Sequence, residues 1–250
     1  MDMIDFYNNF YIRAEQSKAH RAFCERVYGR NLCQHGMADM TQIAKLLEIL
    51  NLNENSRLLD LGCGSGYITE YIQECTNSIV TGVDLSSVAI ESAINRTKMK
   101  SSKLMFQTGD MMSLPYSSNS FDSIILIDTH YFIDDFEELI DKLIELVVPK
   151  GHICIFSDEG RGIQGCDDSN LQANESLIGQ LLERKALSYT ALNLSKENRE
   201  HWKVKEKVLY ELESDFESED NMFLYNNRIS ECISSNRDLD CRFLFNITKE

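Results

Sequence analysis

The chain is 250 residues long with 43% hydrophobic residues, which fits one large domain able to bury a sizeable core. Its formal net charge of −15 argues against a phosphate-backbone partner, because nucleic-acid binders need a basic footprint. No apolar run approaches a membrane span, Met1–Asp5 is not a signal peptide, and the eight cysteines are scattered without a C-x-x-C pair. A cytoplasmic protein with free thiols is expected, with no nucleic-acid or membrane partner.

In chain order, the first fifty residues read as helices. Tyr7, Phe10, Tyr11 and Ala14 recur at helical spacing, as do Met37, Met40, Ile43, Leu46, Leu47 and Leu50. Between them the stretch Val27-Tyr28-Gly29-Arg30-Asn31-Leu32-Cys33-Gln34-His35-Gly36 breaks the period with two glycines.

Next, an apolar run from Arg57 to Leu61 meets Gly62, Gly64 and Gly66 on alternate positions, and Tyr67–Cys75 begins a helical pattern. Strand, glycine turn and helix start together offer close backbone approach and free N–H groups to a ligand. An acidic residue about 20 positions later, ending a second strand, can hold ribose hydroxyls. Asp84 stands there, closing Ser78–Asp84. A dinucleotide fingerprint wants a third glycine where this chain has Tyr67, which disfavours a dehydrogenase. Asp60, just before the turn, suits a ligand without a diphosphate, such as one with an ammonium group.

The string Leu58–Gly66 resembles motif I of the class I S-adenosylmethionine-dependent methyltransferases, and Val83-Asp84-Leu85-Ser86 resembles the acidic-strand motif that follows it. The earlier Tyr28–Gly36 segment is similar to one that precedes motif I in sarcosine and phosphoethanolamine N-methyltransferases and in cyclopropane synthases. There it lies over the cofactor as part of a lid; a plain helix–turn–helix on the sheet edge is the alternative.

The pattern then alternates. Ser86 is placed to cap a helix over Ser87–Thr97, and strands are expected at Lys103–Gln107, Phe121–Asp128 and His152–Phe156. A helix is expected over Asp134–Val148. Such alternation demands a doubly wound α/β sheet of parallel strands, with ligands beyond their carboxyl ends. Asp84, Asp110 and Asp128 each sit at such an end. Further on come a glycine- and aspartate-rich loop (160–170), a helix over Glu175–Lys185 and a strand over Leu187–Leu194. A charged helix capped by Ser195, a helix over Asn221–Ser235 and a last strand at Cys241–Ile247 complete the chain. The resemblance implies a Rossmann-like seven-stranded sheet whose last strand is antiparallel, with residues 1–50 as a helical lid. Residues 51–250 would be the cofactor domain, with a helical insertion at about 195–238.

The resemblance also implies site residues. Asp60, Gly62, Cys63 and Gly64 would border the methionine part of S-adenosylmethionine, and Asp84 with Leu85 the ribose. Gly109, Asp110 and Met111 would border the adenine, and Asp128 the sulfonium or ammonium. His130 and Tyr131 follow Asp128 and are the catalytic candidates, His130 because its ordinary pKa suits a base near neutrality. Either could instead serve packing at the rim. Tyr11, Tyr28, Gln34, His35 and Trp202 are candidates for covering the substrate. Asp158-Glu159 and Asp167-Asp168 have no spacing that dictates a coordination shell, so no metal is expected. The expected activity is methyl transfer to a small molecule, an amine nitrogen ahead of oxygen or carbon, releasing S-adenosylhomocysteine. A non-catalytic binder of S-adenosylmethionine or a nucleoside is the alternative. Neither the acceptor nor the oligomeric state is written in these patterns.

Overall fold

The computed structural model describes residues 2–100, 102–159, 170–234 and 241–250. Within them a seven-stranded sheet has the order β3-β2-β1-β4-β5-β7-β6. Strands β1 (Arg57–Leu61), β2 (Ile79–Asp84), β3 (Leu104–Thr108), β4 (Phe121–Ile127) and β5 (Val147–Glu159) run parallel. β7 (Cys241–Thr248) slots antiparallel between β5 and β6 (Ser188–Asn193). The expected doubly wound sheet with an antiparallel last strand is therefore what this chain forms.

Helices α4 (Tyr67–Thr76), α5 (Ser87–Thr97), α6 (Phe136–Leu146) and α7 (Leu177–Arg184) connect the strands. α6 shows why. Asp135 caps it by accepting from Glu138 N–H at 2.8 Å, and Leu139, Ile140, Leu143 and Leu146 all point into the core. Burying each such side chain is worth about 1.5–3 kcal/mol. The helix stops at Leu146, earlier than its periodicity predicts, because Val147 pairs with Phe121 and opens β5. Beyond Pro149 the strand is tied to the chain's end, Lys150 N–H donating to the Lys249 carbonyl at 2.7 Å.

The other helices gather on one side. α1 (Met3–Gln16), α2 (Lys18–Tyr28), α8 (Ser195–Ser218) and α9 (Met222–Ser234) share an apolar cluster that includes Phe10, Phe23, Trp202, Leu209, Phe216 and Leu224. α3 (Met40–Leu50) packs Leu46 and Leu50 on the sheet instead. α2 falls within the first fifty residues, which were expected to be helical. Ser17 starts it, accepting from His20 N–H at 2.9 Å, and Gly29 at φ +85° ends it. Ser195 is not a cap but the first residue of α8, where Asn193 accepts its N–H at 2.9 Å. The acidic run from Glu211 is the tail of α8, with Leu212 and Phe216 buried one turn apart.

Candidate functional site

A cleft opens beyond the carboxyl ends of β1, β2, β3 and β4, roofed by α1 and by residues 32–38. Its floor is the glycine turn. Gly62 lies at φ +76° and Gly64 at φ +54°, a region costly for other L-residues. Space forbids a side chain as well: a Cβ on Gly62 would come within 2.3 Å of Thr129 Cγ2, and one on Gly64 within 2.3 Å of the Tyr11 hydroxyl. The roof thus rests directly on the turn.

Asp84 is fixed beside it. Its Oδ2 accepts from Gly64 N–H at 2.8 Å and its Oδ1 from Ser86 N–H at 2.8 Å. Burial raises its pKa, and the two N–H groups offset part of that rise. A carboxylate has about four lone-pair sites. Two therefore remain on Asp84 for a vicinal diol in the cleft it borders. At the end of β3, Asp110 Oδ1 accepts from Met112 N–H at 2.8 Å, and Gly109, Asp110 and Met111 all line the cleft. Asp60 is the most buried carboxylate of the floor. Burial lifts its pKa to about 7, against the hydrogen bond from Thr69 Oγ1 at 2.6 Å. A cation placed beside it would pull its proton off. The floor fits a nucleoside with a positively charged tail.

Most of the expected binding residues come together here: Asp60, Gly62, Cys63, Gly64, Asp84, Leu85, Gly109, Asp110, Met111 and Asp128, with Tyr11, Gln34 and His35 above them. Asp128 lines the cleft in a different condition from that expected. Arg242 Nη1 donates to its Oδ1 at 2.8 Å, while Arg242 Nη2 at 3.1 Å and Met37 N–H at 2.6 Å donate to Oδ2. Against the rise that burial imposes, Arg242 holds this carboxyl below its ordinary pKa. Its charge is thus already matched by Arg242 at the strand end where it was expected.

Four other candidates lie off the cleft lining. His130 donates or accepts at Ser157 Oγ, 3.0 Å away, and burial lowers its pKa to about 4. The Tyr131 hydroxyl accepts from Asp158 N–H at 2.6 Å. The short 3-10 turn over His130–Phe132 aims Phe132 at the cleft instead. Tyr28 and Trp202 are buried in the helical cluster, Tyr28 tilted against His201 and Trp202 under the Lys205 ammonium at 4.3 Å. Both pack; neither covers the cleft.

Of the stretch Thr129–Phe132, expected to face the reacting methyl group, Thr129 and Phe132 line the cleft, and sequence reasoning missed Tyr7 and Ile133 beside them. It also missed the buried ionic groups behind it. Arg228 donates to the carbonyls of Gln34 and His35, each at 2.6 Å, and Lys205 pairs with Glu231. His35 Nε2 lies 3.2 Å from Asn227 Oδ1 and 3.3 Å from Glu231 Oε1. The one available signal was the i,i+3 spacing of Arg228 and Glu231. Of the acids considered for a metal, Asp158 accepts from Arg242 Nη1 at 3.0 Å and Glu159 from Ile178 N–H at 3.2 Å. Asp167 and Asp168 lie outside the described residues. Among those described, no group of three or more His, Cys, Asp or Glu is placed to hold a metal ion, and no helix is long and apolar enough to cross a membrane.

Residues 58–151 match the family model described as a methyltransferase domain. Over these residues the chain is similar to the class I S-adenosylmethionine-dependent methyltransferases. The cofactor of this family is S-adenosylmethionine. The phosphoethanolamine N-methyltransferase of Plasmodium falciparum (isolate 3D7) is 28% identical over 206 residues, covering 77% of this chain and 76% of its own. Phosphoethanolamine N-methyltransferase 1 of Arabidopsis thaliana is 32% identical over 131 residues, which cover 52% of this chain and only 26% of that enzyme. Among solved structures, Haemonchus contortus phosphoethanolamine N-methyltransferase 2, complexed with phosphomonomethylethanolamine and S-adenosylhomocysteine, superposes with a TM-score of 0.67 at 18% identity. That match covers 97% of this chain and 60% of the other. The [4+2]-cyclase SpnF reaches 0.69 at 18% identity, covering 84% and 80%. Likeness at this level shows the methyltransferase fold and leaves the acceptor open.

Proposed function

We propose that this methyltransferase transfers the methyl group to an amine nitrogen of a small molecule. The observation that carries the reading is Asp84, anchored by two backbone N–H groups at the mouth of the glycine turn with lone pairs to spare. The names of the phosphoethanolamine N-methyltransferase relatives support nitrogen over oxygen or carbon.

In this reading Gly62, Gly64 and Cys63 border the methionine part of the cofactor, and Asp60 meets its ammonium. Asp84 binds the ribose hydroxyls, with Leu85 against the sugar. Asp110 accepts from the adenine amino group, and Met111 packs on the ring. S-adenosylmethionine supplies a methyl on a sulfonium, open to in-line attack. The chain's own contribution is position and dryness, effects worth roughly 7–11 kcal/mol when the geometry is good. Residues 1–50 serve as the lid: Tyr11, Gln34 and His35 close over the floor and keep water out. An amine that arrives neutral needs no general base. That agrees with His130 turned to Ser157 and Tyr131 to Asp158.

The test is methyl transfer from labelled cofactor to amines and to alcohols of matched shape. Label on nitrogen supports the reading. Label on oxygen alone, with the cofactor product bound normally, contradicts it.

A further inference from the structure

The cleft has an end that the cofactor reading touches only at Leu85 and Tyr11. Met3, Ile4, Tyr7 and Tyr11 lie on one face of α1 and line the cleft. Phe132 stands against Tyr7, ring centroids 5.6 Å apart and nearly perpendicular. Met3, Ile4, Leu85 and Phe132 are 39%, 38%, 40% and 44% exposed, although each borders the cleft. Four large apolar side chains left open around one mouth mark a surface that a ligand covers.

Charge narrows the ligand further. Among the described residues, no lysine or arginine lines the cleft. The cations behind its wall are fully buried and engaged: Arg242 by Asp128 and Asp158, Arg228 by two carbonyls and Glu231, Lys205 by Glu231. His35 is held neutral near pH 7, burial pushing its pKa down to about 4. Tyr7 keeps its proton, burial raising its pKa to about 12. A phosphate dianion entering this space would lose its water and meet carboxylates, with no cation among the described lining residues to replace the lost solvation. An ammonium would fare little better beside Asp128, whose charge Arg242 already takes. An amine on a hydrocarbon body meets no such cost once it has left its proton with the solvent and enters as the free base.

We propose that the acceptor is a phosphate-free amine with an apolar body, an alkylamine or arylalkylamine by class, seated on the rim of Met3, Ile4, Leu85 and Phe132. The inference rests on the amine-methylating reading and narrows it, away from the phosphorylated amines named for the chain's relatives.

The experiment is a calorimetric titration of the full chain, saturated with S-adenosylhomocysteine, with phenethylamine and with phosphoethanolamine. Phenethylamine is expected to bind at least about tenfold tighter. Phe132→Ala and Ile4→Ser, at exposed positions, are each expected to weaken it about threefold or more. Equal or tighter binding of phosphoethanolamine overturns the proposal, as does binding of neither amine to the saturated protein. Failure of S-adenosylhomocysteine itself to bind is a different result. It removes the methyl-transfer reading, and this proposal with it.

Discussion

The two walls of the cleft are built on different principles. The floor is local: Gly62 to Gly66 and Asp84 are held by backbone N–H groups and by the register of β1 with β2, all within about one strand–helix–strand unit. The roof is assembled from a distance. Arg228 reaches the carbonyls of Gln34 and His35 across more than 190 positions, and Arg242 reaches Gln42 across 200. Backbone geometry sets the floor, with no room for a side chain at Gly62 or Gly64. The roof depends on a few buried charges, each costly to strand.

That contrast can be broken most directly at Arg242. Arg242→Met leaves Asp128 buried, in a left-handed backbone conformation at φ 58°, without its counter-charge. A loss of about 3–5 kcal/mol is expected in urea unfolding, as for one-sided removal of a buried pair. A loss below about 1 kcal/mol would mean that the roof does not depend on this charge. A smaller effect is expected where the walls touch. Gly64→Ala costs about 1–2 kcal/mol in backbone conformation alone, and its methyl also pushes on the Tyr11 hydroxyl. The melting temperature should fall by several degrees. No change would show that α1 does not rest on the turn.

An effect of pH sharpens the floor alone. With its pKa raised from 3.8 to about 7, Asp60 contributes stability that is full below the lower value and is lost as pH rises through the upper one. The free protein's stability should therefore decline on this account between about pH 4 and 7, and Asp60→Asn should remove that share of the slope. If the ligand's ammonium ionises Asp60, binding of S-adenosylhomocysteine should release a proton below about pH 7. Titrations in buffers of different ionisation enthalpy read that release, and an identical apparent enthalpy in all of them would contradict it.

The floor was legible in the sequence for the same reason that it is local. Gly62, Gly64 and Asp84 sit at spacings that one strand–turn–helix–strand unit imposes, and alternating apolar runs fixed the sheet around them. Asp128 was placed correctly at a strand end, yet its condition could not be read. Its partner Arg242 lies 114 positions away on a mostly apolar strand. His130 and Tyr131 follow Asp128 directly, but a 3-10 turn sends Phe132 to the cleft in their place. Tyr28, in a stretch that breaks the helical period, and Trp202, in the expected helical insertion, were candidates for covering the substrate, and burial in the α1–α2–α8–α9 cluster places them in the packing. Side-chain direction, not residue type, separated those cases.

The most direct test of the central claim is a calorimetric titration of S-adenosylhomocysteine into the wild-type chain and Asp84→Ala. The account predicts micromolar or tighter binding by the wild type. It predicts a loss of about a hundredfold or more in the variant, which gives up charge-assisted bonds worth about 1.5–3 kcal/mol each. Wild-type protein that is folded and does not bind, or a variant that binds equally well, would contradict it.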